Sequence, residues 1–316
     1  YIIPLILFFS FLNWKFIEKP FRNKNYSLKK LFFFIGFSYF FLILISIYIH
    51  ANDGLDKRAK FILPKNIEDS FVRSKKGGGC FDINYIHKEK NKKNICKIGN
   101  VKKEKIDFLI FGDSHIVSFY PLFNNLLKNN NKSGLFVGYS GCPPILNVYT
   151  LRKDQKERNC YQLNKLIYRI VKKQEIKNLI LISKWAYYTD GNPFGENLNP
   201  VSLKPRRSSN KSLSKKAFSK GMDDTLKNYE KLKTNIFIVE QVPHQISSPK
   251  HIYYRSFNND NFEFNNKLTH YSLNLSMHNK HQNFVKKTFN KFNIKYKNLT
   301  LINFDDVFCN KEKEKC

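Results

Sequence analysis

The chain has few acidic residues, and this shortage sets its overall charge. Its 316 residues contain 25 Asp and Glu against 55 Lys and Arg, a net charge of +30. Such a charge is typical of proteins that bind nucleic acid or an anionic surface. Lysine is, however, spread through nearly every segment, and no basic cluster interleaves with aromatic residues as in a nucleic-acid-binding module. We therefore predict that the chain has no nucleic-acid partner.

The sequence also lacks cysteines at the two-residue spacing of a zinc knuckle or a thioredoxin motif, and no histidine lies at ligand spacing beside them. We therefore predict no metal site. The six cysteines form three local pairs: Cys80 with Cys96, Cys142 with Cys160, and Cys309 with Cys316. Disulfides explain these pairs better than free thiols do, and disulfides persist in oxidising compartments. The pairs therefore predict an exported domain.

Two apolar runs lie near the amino terminus. Residues 1–14 begin without Met, and their apolar part is shorter than the roughly 20 residues that span a bilayer, so we interpret them as the end of a membrane helix. Residues 31–49 carry no charge and are long enough to cross, which predicts a retained transmembrane helix rather than a signal peptide. Residues 15–30 hold six Lys or Arg and one Glu, which predicts a cytoplasmic loop.

The rest of the chain changes character at residue 106. Residues 50–105 are polar and rich in lysine, and they predict an exported linker. Within 106–316, apolar runs alternate with helical patterns, which predicts an α/β, flavodoxin-like three-layer domain with a parallel sheet. The predicted strands are 106–111, 135–139, 178–183, 235–240 and 299–304. The predicted helices are 115–128, 155–173, 215–233 and 272–292.

The most informative stretch is Phe111-Gly-Asp-Ser-His115, where the first of these strands turns directly into a helix. Ser114 would lie at the carboxyl end of the strand and the amino end of the helix. Free backbone N–H groups there can stabilise an oxyanion, and open α/β sheets bind ligands at this edge. Ser114 is therefore a candidate nucleophile. The alternative is that Asp113 or Ser114 only caps the helix.

A wider pattern favours the nucleophile. Phe111-Gly-Asp-Ser-His115 followed by Tyr139-Ser-Gly-Cys-Pro-Pro144 resembles the first two sequence blocks of an SGNH-type hydrolase or acyltransferase domain. The stretch Trp14-Lys-Phe-Ile-Glu-Lys-Pro-Phe-Arg22 resembles the end of the membrane acyltransferase-3 family, whose longer members carry such a domain behind the last membrane helix. The resemblance implies that Ser114 forms an acyl-enzyme and that the backbone N–H groups of Ser114 and Gly141 hold the oxyanion. A tight turn is the other explanation for Gly141.

The resemblance also implies where substrate would bind. Many SGNH enzymes have a Gly-x-Asn-Asp block after the third strand, but this chain has Lys184-Trp-Ala-Tyr-Tyr188 there, which looks similar to members fused to the membrane module. We accordingly assign Asp113 and Trp185 to substrate binding, although packing is an equally good explanation for Trp185.

The expected catalytic base is not in the sequence. The resemblance implies an Asp-x-x-His block after the last strand, in which the His takes the serine proton and the Asp orients the imidazole. No Asp-x-x-His occurs in the chain, so we expect a sequence truncated at both ends and inactive by itself. His115 adjoins Ser114 but would project elsewhere. We interpret the other candidates as solvent-exposed or loop residues: His244, His251, His270, His278 and His281.

By resemblance, the intact protein would pass an acyl group, most often acetyl, from acyl-CoA through the membrane module to a hydroxyl of an exported glycan. The expected partners are a cell-surface polysaccharide or lipid-linked glycan and membrane lipid, with no cofactor bound by this chain. The expected location is the bacterial inner membrane, with the SGNH-like domain periplasmic or extracellular. The alternatives are a carbohydrate esterase with water as acceptor and an inactive, membrane-tethered glycan-binding domain.

Overall fold

A computed structural model describes residues 2–22, 27–51, 95–151, 159–205, 209–248, 250, 253, 266 and 268–316. The chain divides into two units, residues 1–70 and 71–316. Most of the predicted linker lies outside the described residues, as do Cys80 and His251.

The first unit is helical. Helix α1 (Ile2–Asn13) is followed by a π-helical turn (Trp14–Glu18) and by α2 (Lys19–Arg22), and α3 spans Leu28–Ala51. Much of the segment predicted as a loop is therefore helical. Glu18 and Arg22, one helical turn apart, form an ion pair with 2.9 Å between Oε1 and Nη2, and such pairs stabilise helices. Within the parts of the chain described above, no helix combines the length and apolar character needed to cross a membrane. The transmembrane helix predicted over 31–49 is thus not confirmed.

The second unit is built on a six-stranded, mostly parallel sheet. Its strands lie in the order β1-β3-β2-β5-β7-β8. Their bounds are β1 (Cys96–Gly99), β2 (Phe108–Gly112), β3 (Ser133–Gly138), β5 (Asn178–Ile182), β7 (Asn235–Val239) and β8 (Leu299–Ile302). Strand β1 pairs antiparallel with β3, and the other pairs are parallel. Two short strands, β4 (Tyr149–Thr150) and β6 (Val201–Ser202), pair separately. The five parallel strands have the flavodoxin order, which confirms the predicted fold class.

Helices follow the strands as the alternating pattern predicted. They are α4 (Ile116–Asn129), α5 (Cys160–Lys173), α6 (Lys211–Lys231), α7 (Leu275–Lys295) and the short α8 (Asp305–Phe308). A 3-10 turn covers Trp185–Tyr188. All five predicted strands are observed with ends within two residues of the prediction. The edge strand β1 was not predicted, and it lies in the segment interpreted as linker. It has four residues and one fully buried apolar side chain, Ile98, which is too little pattern to distinguish a strand from a loop.

The sheet is covered on both faces. Leu109 and Phe111 belong to an apolar cluster that includes Leu163 of α5, Phe218 of α6 and Phe289 of α7. Ile110, which points to the opposite face because side chains alternate along a strand, belongs to a second cluster. That cluster includes Ile116, Phe123 and Leu127 of α4. Burying each such side chain contributes about 1.5–3 kcal/mol, so the two layers of helices fix the strands that carry the site.

Two of the three predicted disulfides are observed. Cys142 bonds to Cys160 and Cys309 bonds to Cys316. Cys96 is disulfide-bonded as well, but Cys80 lies outside the described residues, so its pairing with Cys96 stays a prediction. The Cys142–Cys160 bond joins the segment after β3 to the start of α5 across 18 residues. Closing a loop of that length contributes about 3 kcal/mol in the chain-entropy model.

Gly112, the last residue of β2, has no room for a side chain. A Cβ built there would lie 1.8 Å from the carbonyl oxygen of Ile182 in the neighbouring strand β5. We expect Gly112→Ala to lower the free energy of unfolding by about 3 kcal/mol or more, because backbone rather than a movable side chain must shift. Urea unfolding of the two proteins measures the difference. Gly36→Ala is the control, since nothing lies within 4 Å of a Cβ there; equal losses in both variants would contradict the steric explanation.

Candidate active site

Two backbone turns place the predicted site at one edge of the sheet. Gly112 of β2 is in register with Gly138 of β3 and with Ile182 of β5, and these are the carboxyl-terminal residues of the three strands. Ser114 follows β2 by two residues and Gly141 follows β3 by three. Strand β2 also lies at the point where the strand order reverses, which is where open α/β sheets bind ligands. The sheet thus brings both predicted residues to its ligand-binding edge.

Ser114 is not used as a helix cap. His115 is the cap residue of α4, and it makes no side-chain capping hydrogen bond. The backbone N–H of His115 instead donates to Asp113 Oδ1 at 3.0 Å. The Ser114 side chain is half-buried, and its hydroxyl has no hydrogen-bond partner within the described parts of the chain. The capping alternative therefore applies to Asp113, and it leaves the Ser114 hydroxyl available for chemistry.

Gly141 is the third residue of a tight turn, in which the N–H of Cys142 donates to the carbonyl oxygen of Tyr139 at 3.0 Å. It is buried, and its backbone φ of +71° lies in the left-handed region that favours glycine. Its carbonyl oxygen accepts a 2.9 Å hydrogen bond from Asn199 Nδ2, which fixes the orientation of this residue. Counting only partners among the described residues, the N–H groups of Ser114 and Gly141 donate to nothing. Two such donors at the carboxyl ends of adjacent strands can stabilise a tetrahedral oxyanion.

Asp113 organises the site and does not face substrate, which corrects its predicted role. Its side chain is 2% exposed. Its Oδ2 accepts three hydrogen bonds, from the hydroxyl of Ser183 at 2.6 Å, the N–H of Lys184 at 2.9 Å and the hydroxyl of Tyr188 at 2.9 Å. Together with the bond from His115, both carboxylate oxygens are engaged inside the protein. Burial by itself would raise the pKa of Asp113, but His115 and then Ser183 outweigh it, and the pKa is lowered.

Trp185 belongs to the core, so its assignment to substrate is also corrected. Its side chain is 0% exposed, and its Nε1 donates to the carbonyl oxygen of Val239 at 2.8 Å. Its ring meets those of Phe289 and Phe218 edge-on, at centroid distances of 5.2 and 6.3 Å. The indole therefore holds the turn after β5 against α6 and α7, and packing is the explanation that the structure favours.

Sequence reasoning missed a cluster of one lysine and two histidines next to Asp113. Lys184 Nζ lies 3.3 Å from His244 Nε2, and the ring centroids of His244 and His281 are 6.2 Å apart. Burial, followed by the charges of Lys184, His281 and His115, lowers the pKa of His244 to about 4. Burial likewise lowers the pKa of Lys184, and the charge of Asp113 opposes it. The position of Lys184 directly after a strand was the signal that could have pointed to it.

Two histidines interpreted as exposed or loop residues are buried in α7 instead. His281 Nε2 lies 2.9 Å from the carbonyl oxygen of Gly191, and His278 Nε2 lies 3.0 Å from Asp305 Oδ1. Their spacing of three residues places both rings on the same face of α7, and both are buried. None of the histidines that the structure describes hydrogen-bonds Ser114. In the part of the chain that the structure describes, no three His, Cys, Asp or Glu side chains are grouped so that they could hold a metal ion.

At the switch point of a flavodoxin-like sheet, the site combines a serine hydroxyl and two N–H groups that have no partner among the described residues, an arrangement suited to acyl chemistry through a serine. A family model described as the SGNH domain fused to AT3 domains matches residues 80–316. This match covers well over half of the chain, and the chain belongs to that family.

No curated protein matches the chain. One similar solved structure is the periplasmic domain of a lipopolysaccharide acetyltransferase from Salmonella ser. Paratyphi A, with 14% identity, a TM-score of 0.46, and coverage of 78% of this chain and 80% of that one. Another is a putative platelet activating factor from Streptococcus pneumonia, with 12% identity, a TM-score of 0.30, and coverage of 69% and 74%.

Proposed function

We propose that this domain transfers an acyl group, most often acetyl, to a hydroxyl of an exported glycan through an acyl-enzyme at Ser114. The observation that carries the proposal is the Ser114 hydroxyl itself. It is uncommitted within the described residues, and it lies at the ligand-binding edge of a domain whose family is fused to AT3 domains. A membrane module that supplies acyl groups favours a transferase over an esterase, because an esterase needs no acyl donor.

The reaction has two displacement steps. The Ser114 oxygen attacks the carbonyl carbon of the donor, and the negative oxygen of the tetrahedral intermediate accepts from the N–H groups of Ser114 and Gly141. Collapse expels the donor's leaving group, which takes up a proton. A sugar hydroxyl then attacks the acyl-serine, and collapse regenerates the Ser114 hydroxyl and leaves an ester on the glycan. In the family pattern the proton passes through the histidine of Asp-x-x-His, a block that the sequence does not contain.

Asp113, Asn199 and the disulfides support this role without touching the acyl group. The four hydrogen bonds to Asp113 fix the turn that carries Ser114, and Asn199 fixes Gly141. We place the domain on the periplasmic or extracellular side of the inner membrane, because its disulfides fit an oxidising compartment. The proposed donor to the AT3 domain is acyl-CoA, and the proposed acceptors are a surface polysaccharide or a lipid-linked glycan, with membrane lipid as the surrounding partner.

Acylation of Ser114 can be tested directly on the purified chain. The chain is incubated with p-nitrophenyl acetate and with added imidazole as a diffusible base, and peptides are then mapped by mass spectrometry. We expect one acetyl group on the peptide that contains Ser114 and none in Ser114→Ala. Transfer of the label to an added glycan supports a transferase, whereas release as free acetate in the presence of that glycan indicates an esterase. Absence of acylation at Ser114 would overturn the enzymatic proposal and leave a glycan-binding domain.

A further inference from the structure

A cavity of about 400 Å³ lies between the loop after β5 and the first turns of α7. The lining residues that matter here are Asp190, Asn192, Lys211, Ser276, Lys280 and His281. A chain of side-chain contacts leads from the cavity to the residues beside Ser114. The His281 ring lies next to the His244 ring, and His244 contacts Lys184. The backbone N–H of Lys184 in turn donates to Asp113, the residue before Ser114. The cavity therefore lies at the same edge of the sheet as the nucleophile.

The cavity carries more positive than negative charge. Among the described lining residues the only carboxylate is that of Asp190, whose Oδ1 is contacted by Lys211 at 3.0 Å and by Lys215 at 2.8 Å. Burial would raise the pKa of Asp190, but Lys215 and Lys211 outweigh it, so the carboxylate stays ionised and its charge is more than neutralised. Lys280 adds another positive charge, and it forms no ion pair within the described parts of the chain. A ligand here gains from carrying an anionic group.

The amino end of α7 lines the same cavity through Asn274, Ser276 and Met277. Asn274 at the cap position makes no side-chain capping bond, and the first turn contains no acidic residue. The N–H of Leu275 donates to the carbonyl oxygen of Glu314, but those of Ser276 and Met277 have no partner among the described residues. Free N–H groups and the positive end of the helix dipole favour an anion at this position.

His281 provides an independent sign of a bound ligand. The residue is 6% exposed, and its Nε2 must carry the proton, because the carbonyl oxygen of Gly191 can only accept. Burial lowers the pKa of the ring, so the imidazole is neutral and Nδ1 is a lone-pair acceptor. That Nδ1 is buried and has no hydrogen-bond partner among the residues that the structure describes. Buried acceptors are normally satisfied, so this Nδ1 can take a hydrogen bond from a donor such as a hydroxyl.

We propose that this cavity is an acidic-sugar subsite, which binds a sugar unit of the acceptor glycan that carries a carboxylate or a phosphate. The anionic group contacts Lys280 and the amino end of α7, and a ring hydroxyl donates to His281 Nδ1. This inference rests on the proposed function at one point: the sugar bound in the cavity is taken to be part of the glycan that accepts the acyl group. It deepens that function, because it selects charged glycans over neutral ones before any chemistry occurs.

The test measures equilibrium binding to the full chain by calorimetry, with glucuronate, glucose 6-phosphate, glucose and inorganic phosphate as probes. We expect glucuronate or glucose 6-phosphate to bind at least about tenfold more tightly than glucose, the value of one added charge-assisted hydrogen bond. Preference between these two probes identifies the anionic group. Equal binding of the charged sugars and glucose, or no binding of either charged sugar, would overturn the proposal. Phosphate that binds as tightly as glucose 6-phosphate would do the same, since no sugar would then be recognised.

Variants assign the binding to this cavity. Lys280→Met should remove most of the preference for the charged sugar, and His281→Phe should weaken it as well by removing the hydroxyl acceptor. Lys287→Met, at an exposed position of the same helix, is the matched control and should bind like the wild type. Unchanged binding in Lys280→Met would place the ligand elsewhere and refute the subsite. Ser114→Ala should bind normally, so failure of the acyl-transfer chemistry and failure of the subsite give different results.

Discussion

Replacing Ser114 with alanine is expected to reduce glycan acylation by about 10⁴- to 10⁶-fold, the loss that follows removal of a catalytic nucleophile. The covalent acceptor of the acyl group is deleted, and nothing else in the turn can replace it. Stability should change by less than about 1 kcal/mol, because the half-buried hydroxyl has no partner among the described residues to lose. Polysaccharide acylation in cells that produce the intact protein measures the first effect, and urea unfolding of the purified chain measures the second.

Ser118→Ala is the matched control for this experiment. Ser118 lies one helical turn after Ser114 in α4 and is exposed, so its substitution removes a hydroxyl without touching the proposed site. We expect normal acylation in that variant. Normal acylation in Ser114→Ala would contradict the nucleophile assignment, and a stability loss of several kcal/mol in that variant would instead make Ser114 a structural residue.

The sheet could be predicted because its strands are almost continuous apolar runs. Leu109, Ile110 and Phe111 are all buried, since the β2 strand has helices on both faces, and that pattern is visible in sequence alone. The turn after β2 followed from the same reasoning, because Gly112 ends the run and apolar residues at helical spacing begin at Val117. The position of Ser114 at the ligand-binding edge could therefore be derived before any coordinates. The short edge strand β1 lacks such a run, and its place in the sheet depends on pairing with β3.

The direction of individual side chains could not be predicted in this way. Asp113 and Trp185 both follow strands at the correct edge, yet their partners are distant in sequence: Tyr188 is 75 residues from Asp113, and Val239 is 54 residues from Trp185. The same is true of His281, whose partner Gly191 lies 90 residues away. Sequence spacing places a residue on an edge or a helix face. Whether its side chain then points into the core or into a cavity depends on contacts with elements far away in the sequence. The sequence pattern does not reveal those contacts.

The buried carboxylate of Asp113 gives the second large expected effect. Asp113→Ala removes the acceptor of four hydrogen bonds and leaves two hydroxyls and two N–H groups near the core without a partner. We expect the free energy of unfolding to fall by about 3–5 kcal/mol, since unpaired buried donors cost more than the bonds themselves contribute. Acylation should also fall in the folded fraction, because the turn that carries Ser114 loses its anchor. Asp224→Ala, which breaks an exposed ion pair between neighbouring helical turns, is the control and should lower the free energy of unfolding far less.

The charge on Asp113 can be separated from its shape with Asp113→Asn and a pH series. The folded-state pKa of Asp113 is lowered, so in acid the unfolded chain takes up the proton before the folded chain does. The stability that the charge contributes is therefore fully present above the ordinary aspartate pKa of about 3.9 and is lost as the pH falls through the lower folded value. The difference in unfolding free energy between the wild type and Asp113→Asn should accordingly shrink as the pH falls below about 4. A difference that stays constant across that range, or a loss below 1 kcal/mol in Asp113→Ala, would show that this carboxylate does not hold the site together as an anion.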